Sequence, residues 1–334
     1  MAKIKVGVLR GGPSSEYEVS LKTGETVLKT LRLIRQAHGK QAQDKYEPVD
    51  IFIDKTGVWH LYGKQGEPHK IFKSIDVIFN ALHGEYGEDG TAQKIFEAHN
   101  VPYTGSDSLA SSLAMQKHLA REVLRLSAMP VMPYIAVKTS DDIKSKSAEA
   151  IRQFGLPLIV KPAGCGSSIG VSVCRTVYDL ITGISDALRR DKTALVEPFI
   201  KGREATCAVV DNFRQQPHYA FPIVEIIPPT GKEFFDYECK YDGSTQEICP
   251  GRFNDETARK LKTLAVIAHN ALGCRHYSRS DFIVSGNKIY FLELNTLPGL
   301  AGECLCPKAL EAAGLEFHQL IDHLLELAMK KAVL

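Results

Sequence analysis

Near the end of the chain, Asp281, Glu293 and Asn295 are the side chains whose types and spacing best suit chemistry. They lie in two β-rich runs on either side of the turn Ser285-Gly286-Asn287. Glu293 and Asn295 are two apart, so they project from one face of a strand while Leu294 points the other way. A three-residue loop centred on Gly286 places Asp281 on that same face; an even-numbered loop sends it to the other. Two carboxylates and an amide gathered this way suit Mg²⁺, a hard ion that takes oxygen ligands and completes its shell with water and phosphate oxygens. The alternative is the solvated edge of an ordinary hairpin.

A second candidate lies upstream. Leu156-Pro157-Leu158-Ile159-Val160-Lys161-Pro162 reads as a strand ending on a lysine. The loop Ala163-Gly164-Cys165-Gly166-Ser167-Ser168-Ile169-Gly170 follows, and then a strand from Val171 to Cys174. Its glycines and serines offer amides and hydroxyls that can close over phosphates. It is not a Walker loop, since the GK[ST] ending is absent and a strand follows. Either it clamps a nucleotide as a lid or it is a flexible hairpin tip. Farther along, Ala194 to Ile200 exposes main-chain groups and Glu197 at a strand end, where adenine or ribose could be read.

The elements that must position these groups read as alternating units. Ile4 to Leu9 is an apolar run ending in Arg10-Gly11-Gly12-Pro13-Ser14-Ser15-Glu16, and Val19, Val27, Leu28, Leu31 and Ile34 follow at helical spacing. Strand, glycine turn and helix start make backbone N–H groups converge on an anion or polar ligand, although many domains use such a turn only to reverse the chain. Strands are expected at Val49–Ile53, Val58–Tyr62 and Asp76–Leu82, the last running into the polar loop His83 to Gly90, with helix from Thr91 to His99. One helix is expected from Leu109 to Leu126, where Lys117 reads as an ordinary surface charge. A strand at Tyr134–Val137 and helices at Ser147–Phe154 and Val177–Arg190 come next, with a core strand through Gly202–Val210. Pro228 to Pro250 reads as a long polar-aromatic loop, and loops of that length are usually functional. Helices at Glu256–Leu272 and Phe317–Lys330 complete the pattern.

At 334 residues the chain exceeds the size at which a single core keeps growing, so two or three domains are expected. Its 41 basic and 39 acidic residues nearly cancel, which removes the global field that nucleic acid or an anionic membrane would need. A small-molecule partner is expected. No apolar run is long enough to span a membrane, and the start MAKIKVGVLRGG reads as strand and turn, so a cytoplasmic protein is expected. Eight cysteines without a CxxC pair, at 165, 174, 207, 239, 249, 274, 304 and 306, read as reduced, mostly buried thiols.

Together GGPSSEYEVSL, HGEYGEDG, PYTGSDSLASSLAMQK, LIVKPAGCGSSIGV, FFDYECKY, and SRSDF with FLELNTLPG resemble the D-alanine–D-alanine ligase family of the ATP-grasp superfamily, in order and end to end. The resemblance implies an α/β (α+β), three-domain ATP-grasp fold. An N-terminal doubly wound parallel-sheet domain would take 1–104, a central ATP-grasp subdomain with the flap 105–200, and a C-terminal subdomain with the long loop and metal site 201–334. It implies ATP and two Mg²⁺ ions, with Mn²⁺ able to substitute, on Asp281, Glu293 and Asn295. Lys117 and Lys161, with Ser167 and Ser168 in the flap, would hold the nucleotide phosphates, and Lys240 would also bind the nucleotide; Glu197, Phe199, Ile200 and Glu204 would hold adenine and ribose, walled by Phe234 and Leu292. Glu16 would bind the ammonium of the first D-alanine and join Ser167 and Tyr241 in a hydrogen-bonded set that shuts the long loop. His83 would line the cleft, and Arg279 with the Gly299 N–H would stabilise a tetrahedral oxyanion.

The activity implied is joining two D-alanines through an acylphosphate for peptidoglycan precursor synthesis, by a cytoplasmic homodimer with neither nucleic-acid nor membrane partner. Where the family presents small hydroxyl residues for the second substrate's carboxylate, this chain has Leu300-Ala301-Gly302-Glu303-Cys304-Leu305. Cys304 stands where serine is expected, and a thiol is the weaker donor. A different acceptor, D-lactate or another amino acid, therefore stays open, although Tyr241 resembles the dipeptide-forming branch. So does a non-catalytic nucleotide-binding scaffold, against which the metal triad, the lysines and Arg279 argue.

Overall fold

A computed structural model of the chain describes residues 3–37, 45–229, 231, 245–302 and 304–330. It begins with the strand β1 (Ile4–Gly11) and the helix α1 (Tyr17–Ala37), whose apolar stripe Val27, Leu28, Leu31 and Ile34 is buried. Strands β2 (Tyr46–Ile53), β3 (Trp59–Leu61) and β4 (Lys64–Gln65), a short helix α2 (Pro68–Ile71) and β5 (Val77–Asn80) follow. They form one sheet in the order β4-β3-β2-β1-β5, with β1 parallel to β2 and β5, and β3 and β4 added antiparallel. Parallel strands must be covered on both faces. Helix α3 (Thr91–Ala98) places Phe96 in one core beneath this sheet. Part of the other cover comes from the far end of the chain: Leu320, Ile321, Leu324 and Leu325 share a core with Val6, Val8, Val27 and Leu31. Tyr46 Oη donates to Asp322 Oδ1 at 2.6 Å, and Lys45 Nζ to Asp322 and Glu326 at 2.6 and 2.7 Å, so polar contacts pin the same junction.

The single helix expected over Leu109–Leu126 is two helices, α4 (Ser108–Met115) and α5 (Lys117–Leu126). Gln116 leaves the helical region at φ −85°, ψ 88°. The Lys117 N–H bonds Ala163 O at 3.0 Å instead of continuing the earlier helix. Next come β6 (Ile135–Lys138), α6 (Ile143–Phe154), β7 (Leu158–Pro162), β8 (Ser172–Cys174), α7 (Val177–Leu188) and β9 (Thr193–Pro198). Helix α6 starts four residues before the expected Ser147, because Asp142 caps it by accepting from the N–H groups of Lys144 and Ser145. The strands make an antiparallel sheet, β6-β9-β7-β8. Leu158, Val160 and Val196 pack with Leu180 and Ile184 in one core. Strand alternation therefore turns Ile159, Lys161 and Glu197 to the opposite face.

The third sheet is built from β10 (Arg203–Phe213), β11 (Gln216–Ala220), β12 (Val224–Ile227) and β13 (Gln246–Ile248). After helix α8 (Asp255–Ala271) come β14 (Tyr277–Ser285) and β15 (Lys288–Asn295), and then helices α9 (Leu305–Ala312) and α10 (Phe317–Met329). Its order is β13-β12-β10-β14-β15, with β11 also on β10. Residues 246–248, expected as loop, are a strand because β12 offers an edge to pair with. Phe234, Lys240 and Tyr241 lie outside the described residues. Ala205, Cys207, Phe282 and Phe291 pack under this sheet with Leu261 and Ala265 of α8 and with Ala114, Ala120 and Leu124 of α4 and α5. Helix α5 thereby presents Lys117 and Arg121 between the second and third sheets. Among the described residues no helix is long and apolar enough to cross a membrane.

Candidate active site

The hairpin loop has two residues, since Ser285 pairs with Lys288 and Gly286 takes the φ of 58° that a two-residue primed turn allows. Unbroken pairing from such a turn would put Asp281 on the face away from Glu293. A bulge between Asp281 and Phe282 corrects it: Phe282 pairs with Phe291 but Asp281 with Glu293, which leaves Leu292 as the extra residue. Asp281, Glu293, Arg279 and Asn295 consequently share one face. The Leu292 carbonyl, freed from the ladder, accepts from Arg121 Nη2 at 2.7 Å and Nε at 3.2 Å.

On that face Asp281 is held from several sides. Arg279 Nε and Nη2 donate to its two oxygens at 2.9 Å, Thr206 Oγ1 at 2.6 Å and Asn295 Nδ2 at 3.1 Å. Burial opposes the charge on Arg279, but Asp281 more than offsets it and keeps the guanidinium protonated. Lys117 Nζ lies 3.1 Å from Glu293 Oε2. The donor set fits a divalent cation, with three oxygen-bearing side chains convergent and a lysine ammonium already drawn to one of them.

Two cavities meet here. The first, between the second and third sheets, is lined by Lys117, Lys161, Ser168, Glu197, Phe199, Ile200, Glu204, Leu292 and Glu293, among others. The family resemblance assigns every one of these to nucleotide or metal. The second is lined by Glu16, His83, Ser167, Arg279, Glu293, Asn295, Gly299, Cys304 and Leu305, among others. Ser167, assigned to both roles, lines only the second; Asp281 lines neither, sitting behind Arg279 and Asn295. Lys117 and Glu293 line both cavities and form their common wall.

Glu197 is not exposed at a strand end as expected. It is 3% exposed and bonded by Arg121 Nη1 at 2.6 Å and Lys161 Nζ at 2.9 Å. The pairing follows from register: Ile159 faces Glu197 and Lys161 faces Leu195, so Lys161 and Glu197 are diagonal neighbours. Burial pushes the Lys161 ammonium down to about 8, with Glu197 opposing and Arg121 and Lys117 assisting. Lys117 is likewise buried rather than a surface charge, and its Nζ donates to Cys165 O at 2.7 Å.

The flap is anchored on both sides. The Gly164 N–H donates to Asp191 Oδ2 at 2.5 Å, and Ser167 Oγ donates to Glu16 Oε1 across the second cavity. Ser167 and Ser168 both hold positive φ, 50° and 57°, a conformation that costs a non-glycine residue energy and is typical of strained functional loops. Gly84 also approaches Glu16: at φ 69°, a β-carbon there would come within 2.6 Å of Glu16 Oε2. The His83 ring is buried, 2.9 Å from Thr23 Oγ1 and 3.6 Å from Glu88 Oε1. Cys304 is the residue before α9, which has no side-chain cap, and a β-carbon on Gly299 would lie 2.7 Å from its Sγ.

Sequence reasoning missed Arg121, which is fully buried and joins Glu197 to the bulge. Its signal was the shared helix face of Lys117, Ala120, Arg121 and Leu124, which puts a second cation beside the lysine.

Two cavities sharing one charged wall, under a glycine-serine flap and beside a convergent acidic hairpin, define an ATP-dependent ligase of the ATP-grasp fold. The D-ala D-ala ligase N-terminus model matches residues 5–71 and 62–106, and the D-ala D-ala ligase C-terminus model matches 123–326. The chain belongs to the D-alanine–D-alanine ligase family. It is 40% identical over 334 residues to the D-alanine–D-alanine ligase of Pelotomaculum thermopropionicum, covering 98% of this chain and 97% of that one. Among solved structures, the VanG D-Ala:D-Ser ligase of Enterococcus faecalis aligns with TM-score 0.82 at 29% identity, covering 98% of this chain and all of that one. The Bacillus anthracis D-alanine–D-alanine ligase complexed with ATP aligns with TM-score 0.79 at 29% identity over 98% of both chains.

Proposed function

We propose that this chain joins two D-alanines at the expense of ATP, with the nucleotide in the first cavity and both amino acids in the second. The observation that carries the reading is the common wall: Lys117 and Glu293 stand where a terminal phosphate from one side would meet a carboxylate from the other. Lys117 and Lys161 neutralise the transferring phosphoryl group, and Glu197 with Arg121 holds Lys161 in place. Asp281, Glu293 and Asn295 would hold Mg²⁺, which would supply further neutralisation of phosphate charge.

Glu16 takes the ammonium of the first D-alanine, whose carboxylate oxygen attacks the γ-phosphorus and releases ADP. The amine of the second D-alanine then attacks the acylphosphate carbonyl, loses a proton, and expels phosphate as the C–N bond forms. Asp281 occupies Nε and Nη2 of Arg279, so Nη1 and the Gly299 N–H remain for the oxyanion; one such donor is worth about 3–4 kcal/mol. The flap, drawn down by Ser167 on Glu16, keeps water from the acylphosphate. The N-terminus of α9 brings backbone N–H groups toward the acceptor's carboxylate, beside Cys304 and Leu305.

The units 1–104, 105–200 and 201–334 serve as amino-acid platform, flap carrier and metal carrier. The setting is a cytoplasmic homodimer supplying peptidoglycan precursors. The test is incubation with ATP, Mg²⁺ and a panel of D-alanine, D-serine, D-lactate and L-amino acids, with products identified by mass. D-alanyl-D-alanine with stoichiometric ADP is expected to dominate. A preferred product other than that dipeptide would overturn the acceptor assignment, and amino-acid-independent ATP hydrolysis alone would overturn the ligase reading.

A further inference from the structure

None of the residues around Asp211 lines either cavity, yet Asp211 on β10 gathers side chains from three other elements. His218, directly opposite it on β11, places Nδ1 at 2.8 Å from Asp211 Oδ1. His269 of α8 places Nε2 at 3.0 Å from the same oxygen. The His269 ring is fully buried, and despite that distance Nε2 has no partner in hydrogen-bonding geometry. One ligand atom from each of the three residues lies within 4.8 Å of the others.

The remaining polar atoms of Asp211 and His269 are already committed. Asp211 Oδ2 accepts the His276 backbone N–H at 2.6 Å, and His269 Nδ1 is 2.8 Å from the buried Ser278 Oγ. The Asp211 carbonyl accepts from His323 Nε2 at 2.7 Å, which fixes the backbone from α10. These contacts orient the carboxylate and the buried imidazole in advance, as outer partners do around metal ligands. Two imidazole nitrogens and one carboxylate oxygen form a borderline set suited to zinc-class ions at about 2.0–2.1 Å, whereas Mg²⁺ takes oxygen ligands. His218, with 30% of its side chain exposed, leaves a route from solvent and room for a water ligand.

We propose that Asp211, His218 and His269 bind one zinc-class divalent cation, with water in the fourth position, fastening the β10–β11 hairpin to α8. The site is distinct from the hairpin carboxylates and does not depend on the ligase reading.

The test uses the full-length protein, stripped by a chelator and free of ATP, titrated with Zn²⁺ by calorimetry and with Co²⁺ by visible absorption. One ion per chain is expected, with a tetrahedral Co²⁺ spectrum lacking thiolate charge transfer. His218→Ala, which removes a partly exposed side chain, is expected to weaken binding at least about ten-fold, and Asp211→Asn to do the same while keeping the shape. Zn²⁺ should raise the melting temperature of the wild type but not of His218→Ala. Absence of stoichiometric binding, equal affinity in both variants, or a thiolate-to-cobalt band would overturn the proposal. The first result leaves a hydrogen-bonded ion pair, and the last puts the ion on cysteines.

Discussion

Replacing Arg121 with methionine tests how the second and third sheets are wired together. The arginine is fully buried, and it joins Glu197 Oε1 at 2.6 Å to the Leu292 carbonyl at 2.7 and 3.2 Å. Methionine fills much of the volume but makes none of these bonds. Losing one partner of a buried pair costs about 3–5 kcal/mol; Lys161, still 2.9 Å from Glu197, limits the loss to the lower part of that range. The orphaned Leu292 carbonyl adds about 1–3 kcal/mol unless water reaches it. Urea unfolding should therefore show a loss of about 4–6 kcal/mol.

A second signature separates this wiring from general destabilisation. Burial pushes the Lys161 ammonium down to about 8, and in the proposed mechanism its charged form is the one that meets phosphate. As pH rises through that value kcat/KM for ATP should fall, since this ratio reports the free enzyme's groups. Arg121 pushes the Lys161 ammonium down, so in Arg121→Met the limb should move to higher pH even though the protein is less stable. An unmoved alkaline limb, or a stability loss under about 1 kcal/mol, would refute the coupling, since breaking a buried pair costs several times that.

Glu293→Gln or Asp281→Asn should lower ATP-dependent ligation by about 100-fold or more while circular dichroism stays native, since charge is removed where the phosphoryl group is neutralised. Unchanged turnover at saturating ATP and limiting Mg²⁺ would take these residues out of the mechanism. Cys304→Ser should lower the Michaelis constant for the second D-alanine several-fold, by about 1 kcal/mol, and leave those for ATP and the first D-alanine unchanged. Serine is also the better residue to precede α9, so the melting temperature should rise by a few degrees; an unchanged second-site constant would remove Cys304 from the acceptor. Tyr241→Phe should loosen discrimination between amine and hydroxyl nucleophiles, read as ester product from D-lactate. A wild type that already makes ester as readily as amide at neutral pH would defeat that idea.

Local pattern made much of this legible. The apolar runs marked the strands that carry Lys161 and Glu197, and the spacing of Glu293 and Asn295 put both on one face. Parity of the hairpin was the hidden step. The turn is even, which alone separates Asp281 from Glu293, and the bulge at Leu292 that reunites them is tied to Arg121, 171 residues earlier in the chain. Gln116 looked helical because nothing local breaks the pattern; the break is set by a bond from Lys117 N–H to Ala163 O. Glu197 could not be read as buried, because the cations that permit its burial come from another strand and another helix. Helix α9 escaped notice for its shortness, with Pro307 in its first turn.

The helix that ends the described chain belongs, by packing, to the sheet that begins it. Val6 and Val8 leave the ribosome about three hundred residues before Leu320, Ile321, Leu324 and Leu325 exist to cover them. Until then that face of a parallel sheet lacks the helix α10 that shares its core, and exposed apolar strands of this kind are what chaperones bind and what aggregates. The first unit of this enzyme is thus made first and completed last. A nascent chain stalled anywhere before residue 317 holds a first sheet that cannot yet close its own core.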